Sequence, residues 1–232
     1  MTNRKFTLLL LTGLAAATFA CRNDKPETIK SDLYGDFFVR YLAPEQELKA
    51  YASFSQGDSI QSAVPIELPG GVSFQGGGME GRNLQGQQFR YVYQSQTDYT
   101  APYTFKTKTP DGKALSHTIT MSGLGKFSIR EGVISKSKGM TLEIEQGMLK
   151  KNESIVMLFT VPATGNSYTI IAQGPHPDNI HAIPSTTLPA LPKGKVQLYL
   201  VKKYEEIADS PLANITSSAE YYSDMIEVDV VD

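Results

Sequence analysis

The stretches DFFVRYL, residues 36–42, and LKAYASF, residues 48–54, alternate apolar side chains with polar or aromatic ones. A β-strand directs successive side chains to opposite faces, so a period of two is typical of strands. Phe37, Val39 and Tyr41 share one face of the first stretch. The residues between the two stretches include Pro44 and favour a turn. The sequence therefore predicts a β-hairpin here.

The same period recurs along the chain. Further strands are predicted at Val64–Leu68, Val72–Phe74, Phe89–Tyr93, Tyr103–Thr107, His117–Met121, Phe127–Ile129, Met140–Ile144, Ser154–Val161, Tyr168–Ala172, Lys195–Val201 and Met225–Val231. Pro65 indicates an edge strand, because proline donates no hydrogen bond to a neighbour. Ile155–Phe159 is apolar at every position, which predicts a central strand covered on both faces. Glu205–Ser223 is predicted as a long loop, with a helical turn at Ser217–Tyr222.

Many short strands separated by turn signals predict an all-β fold. The pattern resembles the immunoglobulin-like modules of secreted bacterial proteins. This resemblance implies two tandem antiparallel β-sandwiches, residues 33–122 and 123–232, and the alternative is one larger sandwich. The Cys…Trp…Cys signature of antibody domains is missing, since the chain has one cysteine and no tryptophan.

The N-terminus has the three zones of a secretory signal. Arg4 and Lys5 precede an apolar run that begins at Leu8, and small residues lead to Ala20. Residues 1–20 are therefore predicted to be a cleaved signal peptide. The alternative is an uncut membrane anchor, for which the apolar run is short, since a spanning helix needs about 20 residues.

Residues 18–21, TFAC, resemble the lipobox of bacterial lipoproteins, in the relaxed form found in Bacteroidota. This resemblance implies that Cys21 becomes the acylated first residue of the mature protein, followed by a polar tether over residues 21–32. The expected partner is then a membrane, reached through the lipid anchor, and the expected location is the cell envelope, as an outer-membrane lipoprotein. Whether the protein faces the periplasm or the surface stays open. The alternative is ordinary cleavage that leaves a free thiol.

The composition and the net charge of the chain argue against some classes of function. The net charge is −2, from 22 basic and 24 acidic residues. Nucleic-acid binding requires a basic surface, so no nucleic-acid partner is expected. Only three histidines are present, and no G-x-S-x-G motif occurs. No assembly for nucleophilic catalysis is therefore visible, and no cofactor is predicted.

Candidate partner contacts lie in two places. Tyr99 and Tyr103 belong to a tyrosine-rich span, and exposed tyrosine rings bind sugars or strands well. The alternative places these rings in the core. Gly77 and Gly78 belong to GGGMEG, residues 76–81, which matches G-x-G-x-x-G in letters. No helix is predicted after it, so the sequence favours a glycine-rich hairpin loop that contacts a partner.

His176, Asp178 and His181 form the one cluster of side chains suited to zinc. The two histidines are five residues apart in a predicted loop, which favours a polar loop, and no metal is predicted. Asp58-Ser59-Ile60 resembles the short O-glycosylation motif of Bacteroidota periplasmic proteins, which implies modification at Ser59.

The function expected from these features is that of a non-enzymatic binding or scaffolding module. Its partner would be another envelope protein or a glycan. One alternative is an accessory hydrolase or carbohydrate-active protein, whose paired carboxylates come from distant strands. Another is an assembly subunit in which Ile226–Val230 adds a strand to a neighbouring sheet.

Overall fold

The computed structural model describes residues 32–85, 88–188 and 190–232. The signal peptide, Cys21 and most of the tether lie outside these ranges. In chain order the strands are β1 (Asp32–Leu42), β2 (Glu47–Gly57), β3 (Val64–Pro65), β4 (Val72–Phe74), β5 (Gly77–Gly78), β6 (Glu80–Leu84), β7 (Gln88–Gln96), β8 (Tyr103–Lys108), β9 (Ala114–Ile119), β10 (Phe127–Ile129), β11 (Val133–Ser135), β12 (Met140–Ile144), β13 (Glu153–Thr160), β14 (Ser167–Gln173), β15 (Ile180–Ile183), β16 (Gly194–Asp209), β17 (Asn214–Tyr222) and β18 (Ile226–Val231). The fold is all-β, as predicted.

Within the described ranges, eleven strands form one large sheet that is organised around β16. One edge of β16 pairs with β13, which in turn pairs with β14. The opposite edge pairs with β18 over its first residues and with β17 over its last. From β17 the sheet continues through β1, β2 and β7 to β6, and from β18 it continues to β11. The N-terminal strands therefore join the C-terminal ones at the parallel pair of β1 and β17, next to the sixteen-residue strand β16.

Two smaller sheets complete the fold, one of order β5-β4-β8-β9 and one of order β10-β12-β15. We call the face of the large sheet that carries Phe37, Val39 and Tyr41 the inner face. Phe37 on this face lies 4.9 Å from Phe105 of β8, measured between ring centroids. The buried residues of the smaller sheets share one hydrophobic core with the inner face. The structure is thus a β-sandwich in which two small sheets cover one side of a large one.

The predicted hairpins are confirmed. β1 and β2 pair antiparallel with Leu42 opposite Glu47. Gln75 and Gly76 both have positive φ, at 50° and 84°, and join β4 to β5 as a two-residue turn. Positive φ at both central positions is characteristic of a type I′ turn. The glycine-rich segment is thus a hairpin. Among the described strands, the two-residue strand that contains Pro65 pairs with β2 alone.

Three predictions near the C-terminus are corrected. Residues 214–222 form β17, which runs parallel to β1, where a loop with a helical turn was expected. β16 extends eight residues beyond Val201, because its last part pairs with this unexpected strand. The strand β13 is central in its pairing, but its second face is only half-buried. Local sequence cannot show which strands lie beside these segments.

The described residues belong to one compact unit. Within the described ranges, no helix is long and apolar enough to cross a membrane. The division into two immunoglobulin-like domains between residues 122 and 123 stays a prediction. The large sheet contains strands from both parts.

Candidate binding groove on the outer face

The outer face of the large sheet is the face opposite the two smaller sheets. Because strand side chains alternate, Asp36, Phe38 and Arg40 of β1 point to this face while Phe37 and Val39 enter the core. The inner residues of β1 are buried, whereas Asp36 is exposed to solvent. Any ligand of this sheet would therefore meet the outer side chains first.

The outer face contains a groove of about 500 Å³ between β17, β1, β2 and β7. Small-molecule sites have volumes of this order, roughly 300–1,000 Å³. Three large apolar side chains line it although they remain exposed, namely Ile60 at 57%, Leu84 at 37% and Ile207 at 83%. Exposed apolar side chains that gather in one concave place are typical of binding sites. We call this feature the outer groove.

Asp36 occupies the middle of the outer groove. It lies opposite Thr216 of β17 on one side and opposite Ser53 of β2 on the other. Partial loss of water raises the pKa of the Asp36 carboxyl above its ordinary value, while the positive charge of Arg90 opposes that change. Arg90 also lines the groove, on β7. The groove thus offers one carboxylate and one guanidinium to a ligand.

An aromatic stripe borders the outer groove along the same strands. The rings of Phe38 and Tyr51 stack with centroids 5.8 Å apart and an interplanar angle of 13°. The guanidinium of Arg90 lies 5.4 Å from the Tyr51 centroid, and that of Arg40 lies 5.2 Å from the Phe38 centroid. Cation–π contacts at these distances order the arginines. The stripe therefore provides a flat and partly apolar surface next to the groove.

The chemistry of the outer groove suits binding. Ser53, Ser55 and Thr216 supply hydroxyl groups, and Asn214 supplies an amide. Asp36 is the one carboxylate among the described residues that line the groove. Glycoside hydrolysis commonly requires two carboxyl groups about 5–10 Å apart. The groove is thus equipped to hold a ligand through polar and apolar contacts, and a paired acid and base is not part of its lining.

The structure places the predicted tyrosines in the core. Tyr103 is 1% exposed, and Tyr99 is half-buried beside it with ring centroids 5.6 Å apart. Tyr99 also packs at 5.2 Å from Tyr41 and at 5.0 Å from Tyr221. Burial raises the pKa of Tyr103 to about 12. The expectation that the Tyr103 ring contacts a partner is corrected, because the ring is enclosed by the small sheet and its neighbours.

Gly77 and Gly78 are exposed on the hairpin of the small sheet, so contact with a partner there stays a prediction. Ser59 lies in an exposed turn, where its hydroxyl is 3.0 Å from the Ser62 hydroxyl. Its glycosylation also stays a prediction. Lipidation of Cys21 concerns a residue outside the described ranges.

The structure brings His176 and His181 together, with ring centroids 4.1 Å apart. The Nε2 of His181 is 2.8 Å from the Gly147 carbonyl, and the Nε2 of His176 is 2.9 Å from the Ile180 carbonyl. These nitrogens donate hydrogen bonds to backbone and are not free to bind a cation. In the described part of the chain, no group of three His, Cys, Asp or Glu side chains, Asp178 included, is positioned to hold a metal ion.

Sequence reasoning did not identify Asp36, Arg90 or Ile207 as a site. The alternation of side chains along β1 places Asp36 and Phe38 on one face of the strand, and this was the one sign of the site in the sequence. Their meeting with Arg90 and Ile207 depends on the strand order β16-β17-β1-β2-β7. That order includes the unpredicted strand β17, so the groove could not be assembled from the sequence.

Comparison with known protein families and with curated proteins finds no match to this sequence. The groove is therefore interpreted from its own geometry.

Proposed function

We propose that this protein is a lipoprotein of the cell envelope that acts as a non-enzymatic binding or scaffolding module. The lipid on Cys21 would hold it at a membrane, and the outer groove would hold its ligand. The observation that carries the proposal is the groove itself, in which Ile60, Leu84 and Ile207 are exposed around Asp36 and Arg90. Binding would bury this apolar surface and so gain free energy.

The ligand class that fits is an extended chain with both polar groups and apolar faces. A peptide segment of another envelope protein and a glycan both have this character. Hydroxyl or amine groups of such a ligand would bond to Asp36, and acceptor groups would bond to Arg90. The aromatic stripe of Phe38 and Tyr51 would carry a further part of the ligand, because sugar rings and side chains pack on aromatic faces.

Photo-crosslinking in intact cells tests this assignment. A photoreactive residue at Ile207, on the rim of the groove, is expected to capture a partner. The same residue at Met225, which is 51% exposed and does not line the groove, serves as the matched control. Mass spectrometry of the adduct identifies it as peptide or glycan. Adding Asp36→Asn is expected to reduce capture at Ile207. The proposal fails if both positions capture the same species, or if neither captures any.

Membrane attachment has a separate test. Cys21→Ala is expected to move the protein from the membrane fraction to the soluble fraction, because the acyl chains can no longer be attached. Membrane association of the cleaved Cys21→Ala variant would contradict the lipid anchor.

A further inference from the structure

The strand β14 is a free edge of the large sheet. Among the described residues it pairs with β13 alone, over all seven positions from Ser167 to Gln173. The terminal strand β18, expected from the sequence to accept a partner, pairs with β16 on one side and with β11 on the other. Among the described strands, β14 is therefore a seven-residue edge whose outer side is open over its full length.

The hydrogen bonds at the ends of the β13–β14 pair show which groups of β14 are free. The N–H of Val161 donates to the Asn166 carbonyl, and the N–H of Gly174 donates to the Glu153 carbonyl, each at 2.9 Å. In an antiparallel pair, hydrogen-bonded positions alternate with positions whose groups point away. By this alternation Tyr168, Ile170 and Ala172 bond to β13. The N–H and C=O groups that point away from β13 belong to the alternate residues, namely Ser167, Thr169, Ile171 and Gln173.

Proteins usually protect edge strands with charge, proline or short length. The other edges of the large sheet follow this rule. β6 contains Glu80 and Arg82, β3 contains Pro65, and β11 has three residues. By contrast, β14 reads SYTIIAQ, with no charge and no proline, and Ile171 on it is 55% exposed. An unprotected edge of this length is a template for another strand.

We propose that β14 pairs antiparallel with β14 of a second copy of this chain, forming a two-fold symmetric dimer. This assignment is independent of the outer groove. The two-fold axis passes beside Ile170, so that Ile170 of one copy lies opposite Ile170 of the other. Ser167 then lies opposite Gln173, and Thr169 lies opposite Ile171. These four positions are the ones whose N–H and C=O groups point outward, so every free group finds a partner in this register.

The side chains of β14 also fit this register. Large Tyr168 lies opposite small Ala172, and Ile170 lies opposite Ile170, on the inner face. Tyr168, Ile170 and Ala172 pack against the core but are only half-buried, so the second copy would cover them further. Thr169 and Ile171, both β-branched, meet on the outer face, and such pairs stabilise sheets. Because the strand carries no charge, no like charges oppose each other.

Disulfide trapping of the full chain tests the register. Residues at a non-hydrogen-bonded antiparallel pair have Cα atoms about 4.5 Å apart, within the ~4.4–6.8 Å that a disulfide spans. Ile170→Cys is therefore expected to give a disulfide-linked dimer under mild oxidation. Ile171→Cys is the matched control, because two copies of residue 171 lie diagonally in this register, beyond disulfide reach. Oxidation of the unmodified chain shows how much disulfide-linked dimer forms through Cys21 alone.

Solution mass provides the second test. Ile171→Lys is expected to convert a dimer into a monomer in light scattering, since charge at an edge opposes pairing. Val64→Lys alters a residue that is 62% exposed on another edge strand, and it should remain dimeric. Circular dichroism checks that each variant is folded. A monomeric unmodified chain, equal trapping of both cysteine variants, or a dimeric Ile171→Lys would each overturn the proposal.

Discussion

A lysine and a glutamate are enclosed in the core of the protein. Lys202 is 0% exposed, and Glu153 beside it is 3% exposed. The Lys202 Nζ lies 3.4 Å from Glu153 Oε2 and donates to the Ser122 hydroxyl at 2.7 Å and to the Met148 carbonyl at 3.2 Å. Burial lowers the pKa of Lys202, and the Glu153 charge opposes that change. Lys202 thus links β16 to the segment after β9, through Ser122, and to the segment after β12, through Met148.

Breaking this pair on one side should be strongly destabilising. Lys202→Met leaves the Glu153 carboxylate buried without a counter-charge, which costs about 3–5 kcal/mol of unfolding free energy. Lys202→Met combined with Glu153→Gln should recover much of this loss, because no charge remains and the amide oxygen can still accept the Lys150 N–H. Urea denaturation of both variants measures the difference. Equal stability of the two variants would contradict a buried ionic pair.

The buried histidine on β15 makes stability depend on pH. Burial lowers the pKa of His181 below its ordinary 6.5. The hydrogen bond to the Gly147 carbonyl acts in the opposite direction and raises the pKa, but its effect is smaller. The unfolded chain then binds a proton more readily than the folded chain below pH 6.5. The unfolding free energy is therefore expected to fall as pH decreases from 6.5 through the lower, folded pKa.

His181→Gln isolates this contribution, because glutamine can still donate to the Gly147 carbonyl but does not titrate. The difference in unfolding free energy between the two proteins should be constant above the ordinary pKa and should change below it. Urea denaturation over a pH series measures this difference. A difference that stays constant below pH 6 would show that His181 is not buried in its neutral form.

At the scale of elements, two turns that depend on glycine differ in their surroundings. Gly132 and Gly139 both have positive φ, at 70° and 95°. A Cβ at Gly139 would clash with the Ile183 carbonyl oxygen, whereas a Cβ at Gly132 would have nothing within 4 Å. The backbone of Gly139, in the turn after β11, thus packs directly against the backbone of Ile183 at the end of β15.

Alanine at these two positions should separate conformational strain from steric clash. Gly132→Ala is expected to cost about 1–2 kcal/mol, from the left-handed conformation alone. Gly139→Ala should cost more, because the Ile183 backbone must also move. Thermal or urea denaturation compares the two variants. Equal losses would indicate that the contact with Ile183 imposes no constraint.

The elements themselves could largely be predicted where side chains alternate clearly between core and solvent. β10 and β12 match their predicted bounds. β17 was missed because its inner positions include Ser217 and Ala219, which resemble loop residues in a sequence. Its strand conformation depends on having β1 on one side and β16 on the other. Pairing partners, distant in sequence, decided this element.

At the scale of the whole molecule, the continuous large sheet bears on the predicted division after residue 122. β1 belongs to the first part, but its parallel neighbour β17 belongs to the second. In the core, Tyr221 of the second part packs against Tyr41 and Tyr99 of the first, at 5.4 Å and 5.0 Å. The two parts therefore share both backbone hydrogen bonds and buried rings.

Separate expression of residues 33–122 and 123–232 tests whether they are domains. Neither fragment is expected to fold alone, because cutting the chain exposes the edge of β1 that pairs with β17 and separates Tyr221 from Tyr41 and Tyr99. Mixing them should restore the β-sheet signal in circular dichroism. Well-dispersed NMR spectra from either isolated fragment would instead support two independent sandwiches.

The sequence by itself determined the all-β class, most strand positions and the hairpin turns. These features depend on neighbours within a few residues, through side-chain alternation and the φ preferences of glycine, asparagine, aspartate and proline. Only the tertiary structure decided that Tyr103 is buried, that Asp36 and Arg90 share a groove, and that Lys202 meets Glu153. These contacts depend on which strands lie side by side, and strand order is set by burial across the whole core.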